Sequence, residues 1–253
     1  MLLIGVSVWE IAATRCDATS VPDDAAWDDA SAVVRRDFHP GDLIVFAPDW
    51  VDPVGRLHLG DLVSLEAAAR MDAARYPRIW ELSIRDARSP DTAGLAAVFD
   101  NTVRGIRIRR FDQEAAVVVT DFADKLATTK VEGAPVHVPS LEIAEVGFAP
   151  RRCIEVVPTP NKPARITFPE VQLGRELVGY VGLADIFTRR EIRSPATLAV
   201  EIAGREVARA VAGVDDGWVR FSAPTTPGVA DVTFVAAAIE PARLVCFAAE
   251  ARR

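Results

Sequence analysis

The stretch "VDDGWVRFSAPTTPGVADVTFVAAAI", residues 214–239, contains two short runs rich in apolar side chains, each bounded by turn residues. Such runs are typical of strands, and the Asp216-Gly217 step supplies the positive φ angles of a hairpin turn. Similar runs recur at intervals of roughly ten residues from residue 151 to the C-terminus, with turn signals between them. The second half of the chain is therefore predicted to be an antiparallel β-sandwich.

The first half has a different pattern, in which helical and strand segments alternate. Apolar side chains three or four residues apart predict helices, whereas short uniformly apolar or alternating runs predict strands. The predicted helices cover residues 20–38, 59–76 and 89–103, and the predicted strands cover residues 43–46, 78–84, 106–111 and 115–122. This order is that of an α/β layer domain with a largely parallel sheet. The linker-like "TTKVEGAPVHVPS" follows, so the expected domains are residues 1–134 and 135–253.

The composition favours a folded protein and argues against one class of partner. Half of the 253 residues are apolar and 26% are charged, which allows sizeable cores. The first 150 residues are acidic, and nucleic-acid binding depends on neutralising phosphates, so no nucleic-acid partner is expected. The chain has no glycine-rich nucleotide motif and its 3 histidines lie far apart. We therefore predict no cofactor and no metal.

The N-terminal segment "MLLIGVSVWEIAATRC" is almost entirely apolar. It is too short to cross a bilayer, which needs about 20 apolar residues. It also lacks the basic start of a signal peptide. Two interpretations remain open: the trailing half of a membrane helix, or a buried first strand or helix.

Polar side chains crowd the loop that follows the apolar run "LIVF". They are Asp49, Trp50, Asp52, Arg56, His58 and Asp61. In open α/β sheets, ligands collect beyond the carboxyl ends of strands. Asp49 or Asp52 could act as a base and His58 as an acid or base, with Trp50 and Arg56 contacting a ligand. The alternative is structural, with Asp61 capping a helix and Trp50 packed against the core.

Two groups of arginines are further candidates for ligand contacts. Arg107 and Arg109 share one face of a predicted strand, and Arg189 and Arg190 lie in a predicted loop. Guanidinium groups bind phosphates and carboxylates in a bidentate manner, so either group could hold a phosphate or an acidic sugar. The alternative is solvated charge that protects a sheet edge from aggregation.

Two cysteines fall in the first and last predicted strands of the sandwich. First and last strands are often neighbours in such folds, so a bridge between Cys153 and Cys246 is geometrically credible. Pairing would require an oxidising compartment. Two buried free thiols are the open alternative.

Two family resemblances add to these patterns. Residues 20–120, through "ASAVVRRDFHPGDLIVFAPDW", "YPRIWELSI" and "IRIRRF", resemble the soluble extracytoplasmic C-terminal region of bacterial membrane glycosyltransferases that use polyprenyl-phosphate sugars. That family's catalytic carboxylates lie among membrane helices, so no catalytic residue is carried over. The second half, through "ELVGYVGLAD", "ATLAVEIAG" and "VDDGWVRF", looks like a galactose-binding-like jelly roll. This resemblance implies glycan binding, with Tyr180 and Trp218 as the aromatic candidates.

Together these patterns favour a non-catalytic extracytoplasmic protein of a cell-envelope glycosylation system, which binds glycan or a protein partner. The membrane would be reached only through the N-terminal segment, and a cytoplasmic location is the alternative. A second hypothesis is an enzyme that acts on a sugar or phosphate ester through residues 49–61. A third is a purely structural assembly module. The sequence does not define an oligomeric state.

Overall fold

The computed structural model describes residues 6, 7, 9, 10, 21–184 and 194–253. Contacts between Cα atoms divide the chain into two compact units. The first unit is Met1–Ser64 with Tyr76–Glu114, and the second is Leu65–Arg75 with Ala115–Arg253. Most of the apolar N-terminal segment and both Arg189 and Arg190 lie outside the described residues. Within the described part of the chain, no helix is both long enough and apolar enough to span a membrane.

From residue 21 onward, the described part of the first unit contains two helices and one four-stranded sheet. The elements are α1 (Asp24–Asp37), β1 (Leu43–Ala47), a 3-10 turn (Asp49–Val51), α2 (Asp52–Leu59), β2 (Arg78–Ser83), a 3-10 turn (Pro90–Thr92), β3 (Ala97–Val103) and β4 (Ile106–Asp112). The strand order is β1-β2-β4-β3. Only β1 and β2 run parallel, whereas β4 is antiparallel to both of its neighbours.

The predicted α/β layer domain with a largely parallel sheet is therefore wrong. The segment predicted as a third helix, residues 89–103, instead forms a 3-10 turn followed by β3. Arg104 and Gly105 both have positive φ and make a tight turn, so β4 returns antiparallel to β3. The spacing of apolar residues in a short run does not distinguish a helix from a strand. Here the turn at Arg104 and Gly105 favours a strand for residues 97–103, because it lets them pair with β4.

The core of the first unit lies between α1 and one face of the sheet. Trp27 and Val34 of α1 pack in one cluster with Phe46 of β1 and Trp80 of β2. Asp23 caps α1, because its carboxylate accepts a hydrogen bond from the Ala26 amide at 2.8 Å. These contacts fix α1 and the segment after β1, which carries the predicted loop.

The second unit is a sandwich of two antiparallel sheets. Its elements are α3 (Leu65–Ala68), 3-10 turns at Ala73–Arg75 and Ala123–Thr128, and the strands β5 (Val118–Asp121), β6 (Lys130–Glu132), β7 (Ser140–Val146), β8 (Ala149–Val156), β9 (Ala164–Leu173), β10 (Glu176–Leu183), β11 (Ala196–Ile202), β12 (Arg205–Ala212), β13 (Val219–Pro224), β14 (Gly228–Ala238) and β15 (Val245–Arg252). One sheet has the order β13-β10-β15-β8-β7, with β5 also paired to β15, and is called sheet B. The other has the order β12-β11-β14-β9-β6 and is called sheet C.

The inner faces of sheets B and C share one apolar core. Phe234 lies at its centre and contacts the rings of Phe122 and Phe247, with centroid separations of 4.9 and 4.6 Å. Aromatic rings at these separations add to the stabilisation from apolar burial. The β-sandwich expected from the strand spacing is thus present. A second buried cluster, which includes Met71, Cys153 and Cys246, covers part of the outer face of sheet B.

Two details of the sandwich differ from the sequence pattern. The predicted boundary between residues 134 and 135 falls inside the second unit, after β5 and β6 have already paired with β15 and β9. The predicted hairpin at Asp216-Gly217 is wrong, because β12 and β13 on either side of it belong to different sheets. Gly217 does have positive φ, but Asp216 accepts a hydrogen bond from the Gly213 amide and shapes a wider turn between the sheets.

Candidate functional site

The loop of residues 49–61 forms a 3-10 turn followed by α2, with its polar side chains pointing to different neighbours. Asp49 and Trp50 are exposed at the end of β1. Asp52 forms an ion pair with Arg56 one helical turn further along α2. Asp52 and Arg56 therefore engage each other within α2.

His58 joins α2 to α1. Its Nδ1 lies 2.9 Å from an Asp28 carboxylate oxygen, and its ring stacks on Trp27 with centroids 6.1 Å apart. Near it, both guanidinium NH2 groups of Arg35 donate to the Asp61 carboxylate at 2.6 Å, which lowers the pKa of Asp61. The first contact joins α2 to α1, and the second joins α1 to the segment that follows α2, so His58 and Asp61 have structural partners.

The strand arginines separate into one exposed and one buried group. Arg107 makes two hydrogen bonds to the exposed Asp100 carboxylate, at 2.9 and 2.6 Å, and this contact lowers the pKa of Asp100. Arg109 is buried and lies 2.6 Å from the buried Glu81 carboxylate. Burial lowers the pKa of Arg109, although Glu81 opposes that effect. The two side chains share a strand face, but each is engaged with a carboxylate of the same sheet.

The outer face of sheet B brings together residues from three separate strands or their ends. The Arg151 guanidinium carbon lies 3.8 Å from the centroid of the Tyr180 ring and 5.4 Å from that of the Trp218 ring. All three side chains are partly exposed. A cation over an aromatic face is attracted by the ring quadrupole. We call Arg151, Tyr180 and Trp218 the aromatic–arginine cluster.

Sheet register explains why these residues meet. Arg151 precedes Cys153 by two residues on β8, and alternate positions of a strand share one face. Tyr180 of β10 pairs with Ala248 of β15, which lies two residues beyond Cys246. The disulfide between Cys153 and Cys246 therefore lies on the same outer face, with Cα atoms 5.6 Å apart, within the range that a bridge requires. It ties β8 to β15 beneath the cluster.

Trp218 is held in place from two sides. Its indole Nε1 donates to the Ala149 carbonyl oxygen at 2.7 Å. Gly182 lies below the ring, where a Cβ would approach the indole to 3.1 Å and Val146 to 3.2 Å. The absence of a side chain at Gly182 thus lets the indole lie flat on the sheet. The sequence predicts Tyr180 and Trp218 as aromatic candidates but does not single out Arg151. The position of Arg151 two residues before Cys153 on β8 places it on this face.

The rim of the cluster is formed by two neighbouring turns. A Cβ on Gly147 would lie 3.6 Å from the Gly217 Cα, so the β7–β8 turn meets the turn before β13. Phe148 follows Gly147, has positive φ and is 65% exposed. The Phe148 side chain is therefore an exposed aromatic group in the turn that meets the segment before Trp218.

The described residues contain no group of three or more His, Cys, Asp or Glu side chains arranged to hold a metal ion. Arg189 and Arg190, which were predicted to contact a ligand, lie outside the described residues. The site assignment accordingly depends on the aromatic–arginine cluster and on the loop of residues 49–61.

No protein-family model matches the sequence, and no curated protein matches it either. Among solved structures, the chain is similar to a carbohydrate-binding module with an adjoining domain of Clostridium perfringens ZmpB, with 12% identity, a TM-score of 0.34, and coverage of 55% of this chain and 30% of that one. It is also similar to tandem carbohydrate-binding modules of a family 98 glycoside hydrolase of Streptococcus pneumoniae, with 14% identity, a TM-score of 0.36, and coverage of 56% and 45%.

A third similar structure is a family 35 carbohydrate-binding module of Clostridium thermocellum, with 12% identity, a TM-score of 0.35, and coverage of 54% of this chain and 98% of that one. The chain spans less than half the length of the first two structures. At TM-scores below 0.5, these similarities define neither the family nor the ligand of this chain.

Proposed function

We propose that this chain is a non-catalytic module that binds glycan through the aromatic–arginine cluster. The observation that carries the proposal is the Arg151 guanidinium stacked 3.8 Å from the Tyr180 ring centroid, with Trp218 beside it on the sandwich surface. Aromatic faces offer rigid contact area to the apolar face of a sugar ring at low conformational cost. A guanidinium directs planar hydrogen-bond donors toward hydroxyl or carboxylate oxygens.

The engagement of the loop 49–61 supports a role without catalysis. A general base needs a proton of the substrate within hydrogen-bond reach, and it needs a second group to complete the step. Asp52 is paired with Arg56, and His58 is held between α1 and α2. These contacts give Asp52, Arg56 and His58 structural partners.

An extracytoplasmic location is part of the proposal. The Cys153–Cys246 disulfide supports it, because disulfides persist in oxidising compartments and are rare where thiols are kept reduced. Within that compartment, we assign the module to a cell-envelope glycosylation system, where it would hold the glycan on which a partner acts. The assignment rests on the resemblance of residues 20–120 described above.

The direct test measures binding of the purified chain to an array of bacterial polysaccharides and oligosaccharides, followed by calorimetry on the strongest ligand. We expect Tyr180→Ala and Trp218→Ala each to weaken binding by about tenfold or more, since each removes a contact worth about 1.4 kcal/mol or more. Arg151→Gln should weaken binding to acidic glycans more than to neutral ones.

Trp50→Ala is the matched control, because Trp50 is an exposed aromatic side chain outside the cluster. It should leave binding unchanged. Loss of binding in Trp50→Ala with retention in Trp218→Ala would move the site to the loop of residues 49–61 and overturn the proposal. Absence of binding to every glycan on the array would overturn it as well.

A further inference from the structure

Strand β7 ends sheet B, and its outer edge is a second candidate for binding. Among the described residues, β7 pairs only with β8. The register between the two strands runs over seven residues without a bulge. A long and regular edge strand is a template on which another chain can add a strand.

The backbone groups on that edge can be identified from the hydrogen bonds of β8. The Arg152 amide donates to the Ala69 carbonyl oxygen at 2.8 Å, so it points away from β7. Arg152 is the cross-strand partner of Ile143, and the two therefore form a non-hydrogen-bonded antiparallel pair. The amide and carbonyl of Ile143 therefore point away from β8, toward the open edge. The backbone groups of Leu141 and Glu145 point the same way, because alternate residues of a strand direct these groups to the same side. Pro150, which has no amide hydrogen, is the partner of Glu145 and agrees with this register.

Apolar side chains accompany these backbone groups. Leu141 and Ile143 are 39% and 49% exposed. With Leu65, which is 68% exposed, and Ala69, they line a cavity of about 500 Å³. An added strand places alternate side chains on the same face, so every second side chain of a bound peptide would lie on the face that carries Leu141 and Ile143.

The charge at the edge selects the occupant. Glu66 and Glu142 line the cavity, and the exposed Glu145 follows on β7. Arg152 is the basic residue of the lining, and its guanidinium is already 2.9 Å from the Asp124 carboxylate. Antiparallel pairing with a second copy of β7 would place side by side two strands that each carry Glu142 and Glu145, and like charges on paired strands are unfavourable. An extended segment that carries Lys or Arg fits the same edge.

We propose that β7 is a docking edge to which an extended, lysine- or arginine-bearing segment of another protein adds as a further strand. Main-chain hydrogen bonds to Leu141, Ile143 and Glu145 provide affinity. The apolar cavity and the carboxylates provide the preference for alternating apolar and basic side chains. This site lies on β7 and does not depend on the glycan-binding proposal.

The test uses two fluorescent nine-residue peptides, one alternating Val and Lys and the other alternating Val and Glu, in anisotropy titrations against the full chain. We expect saturable binding of the basic peptide, weakened by added salt, and at least about tenfold weaker binding of the acidic one. Equal binding of both peptides, or binding of neither, would overturn the proposal. Concentration-dependent dimerisation that Ile143→Pro abolishes would assign the edge to a second copy of the chain instead.

Ile143→Pro separates the backbone from the side chain. It removes an amide that points to the open edge while sparing the hydrogen bonds between β7 and β8. Ile143→Ala is the control, because it also removes the isoleucine side chain but keeps the backbone amide. We expect Ile143→Pro to bind the basic peptide about tenfold more weakly than Ile143→Ala does. Equal affinity of these two variants would contradict strand addition.

The double variant Glu142→Lys with Glu145→Lys should reverse the preference toward the acidic peptide. Glu170→Lys, at an exposed position away from β7, should not. Circular dichroism of each variant establishes that it is folded. If the Ile143→Pro substitution unfolds the chain, the charge-reversal pair still decides the proposal.

Discussion

The loop of residues 49–61 and the aromatic–arginine cluster differ in how their side chains are brought together. The loop is contiguous in sequence and rich in residue types used in catalysis, but Asp52 pairs with Arg56 inside the loop, and His58 and Asp61 pair with side chains of α1. The cluster joins Arg151, Tyr180 and Trp218, which are far apart in sequence and are assembled by the register of sheet B. The dense polar residues of the loop therefore include contacts that join α2 and its flanking segment to α1. The register of sheet B brings together the three side chains to which we assign ligand binding.

Among the predictions that test this comparison, the largest effect on stability is expected from removing the Cys153–Cys246 disulfide, which lies beneath the cluster. Replacing Cys153 and Cys246 with Ala should lower the free energy of unfolding by about 4 kcal/mol, because the bridge closes a loop of 93 residues and limits the unfolded chain. Urea unfolding followed by far-UV circular dichroism measures this loss. A reductant should reproduce the effect in the native chain but leave the Ala variant unchanged. A loss below about 1 kcal/mol would contradict a stabilising bridge.

His58→Ala should have the next largest effect, on stability and not on binding. The substitution removes a nearly buried ring that stacks on Trp27 and contacts Asp28, and we expect a loss of about 1–2 kcal/mol. Thermal unfolding measures the loss, and glycan affinity should match that of the unchanged chain. A stable variant that no longer binds ligand would break the comparison, because His58 would then have a functional role.

A smaller effect is expected at the surface pair of Asp100 and Arg107. The guanidinium holds the pKa of the Asp100 carboxyl below its usual value of 3.8. Because the folded state depresses this pKa, the stabilisation from the pair is present above about pH 4 and is lost as the pH falls through the depressed pKa. An NMR titration of Asp100 checks the direction. In Arg107→Gln the titration should shift upward, and an unchanged midpoint would contradict the assigned cause.

Asp52→Asn should have the smallest effect. The ion pair with Arg56 is partly exposed, and such pairs contribute less than about 1 kcal/mol. We expect the melting temperature to change by less than about 2 °C. A much larger decrease would mean that Asp52 belongs to a more extensive network than the pair with Arg56.

The strands of the sandwich could be predicted from the sequence, because each carries a short apolar run between turn residues. Sheet direction in the first unit could not, because it depends on the Arg104-Gly105 turn and on the strand conformation of residues 97–103. The local sequence of a strand also does not determine which other strand it pairs with. The spacing around residue 217 indicated a turn but did not reveal that the chain passes from sheet C to sheet B there.

The candidate site was predictable in part for the same reason. Tyr180 and Trp218 stand out as aromatic residues in predicted strands, but their proximity follows from register across several strands. Arg151 could have been selected only by placing it on the same strand face as Cys153 and then pairing β8 with its neighbours. The edge at β7 likewise follows from strand order, which no single segment encodes.

The position of the disulfide has a mechanical consequence for a protein that is tethered at its ends. When the chain on both sides of the bridge is pulled taut, tension passes from β8 to β15 through the sulfur atoms, so the span between Cys153 and Cys246 is not extended. Fully extended, that span would be roughly 300 Å long, and the bridge prevents this extension. Tyr180 and Trp218 both lie within it. Stretching the chain would therefore spare the strands that carry the two aromatic rings as long as the bridge is intact.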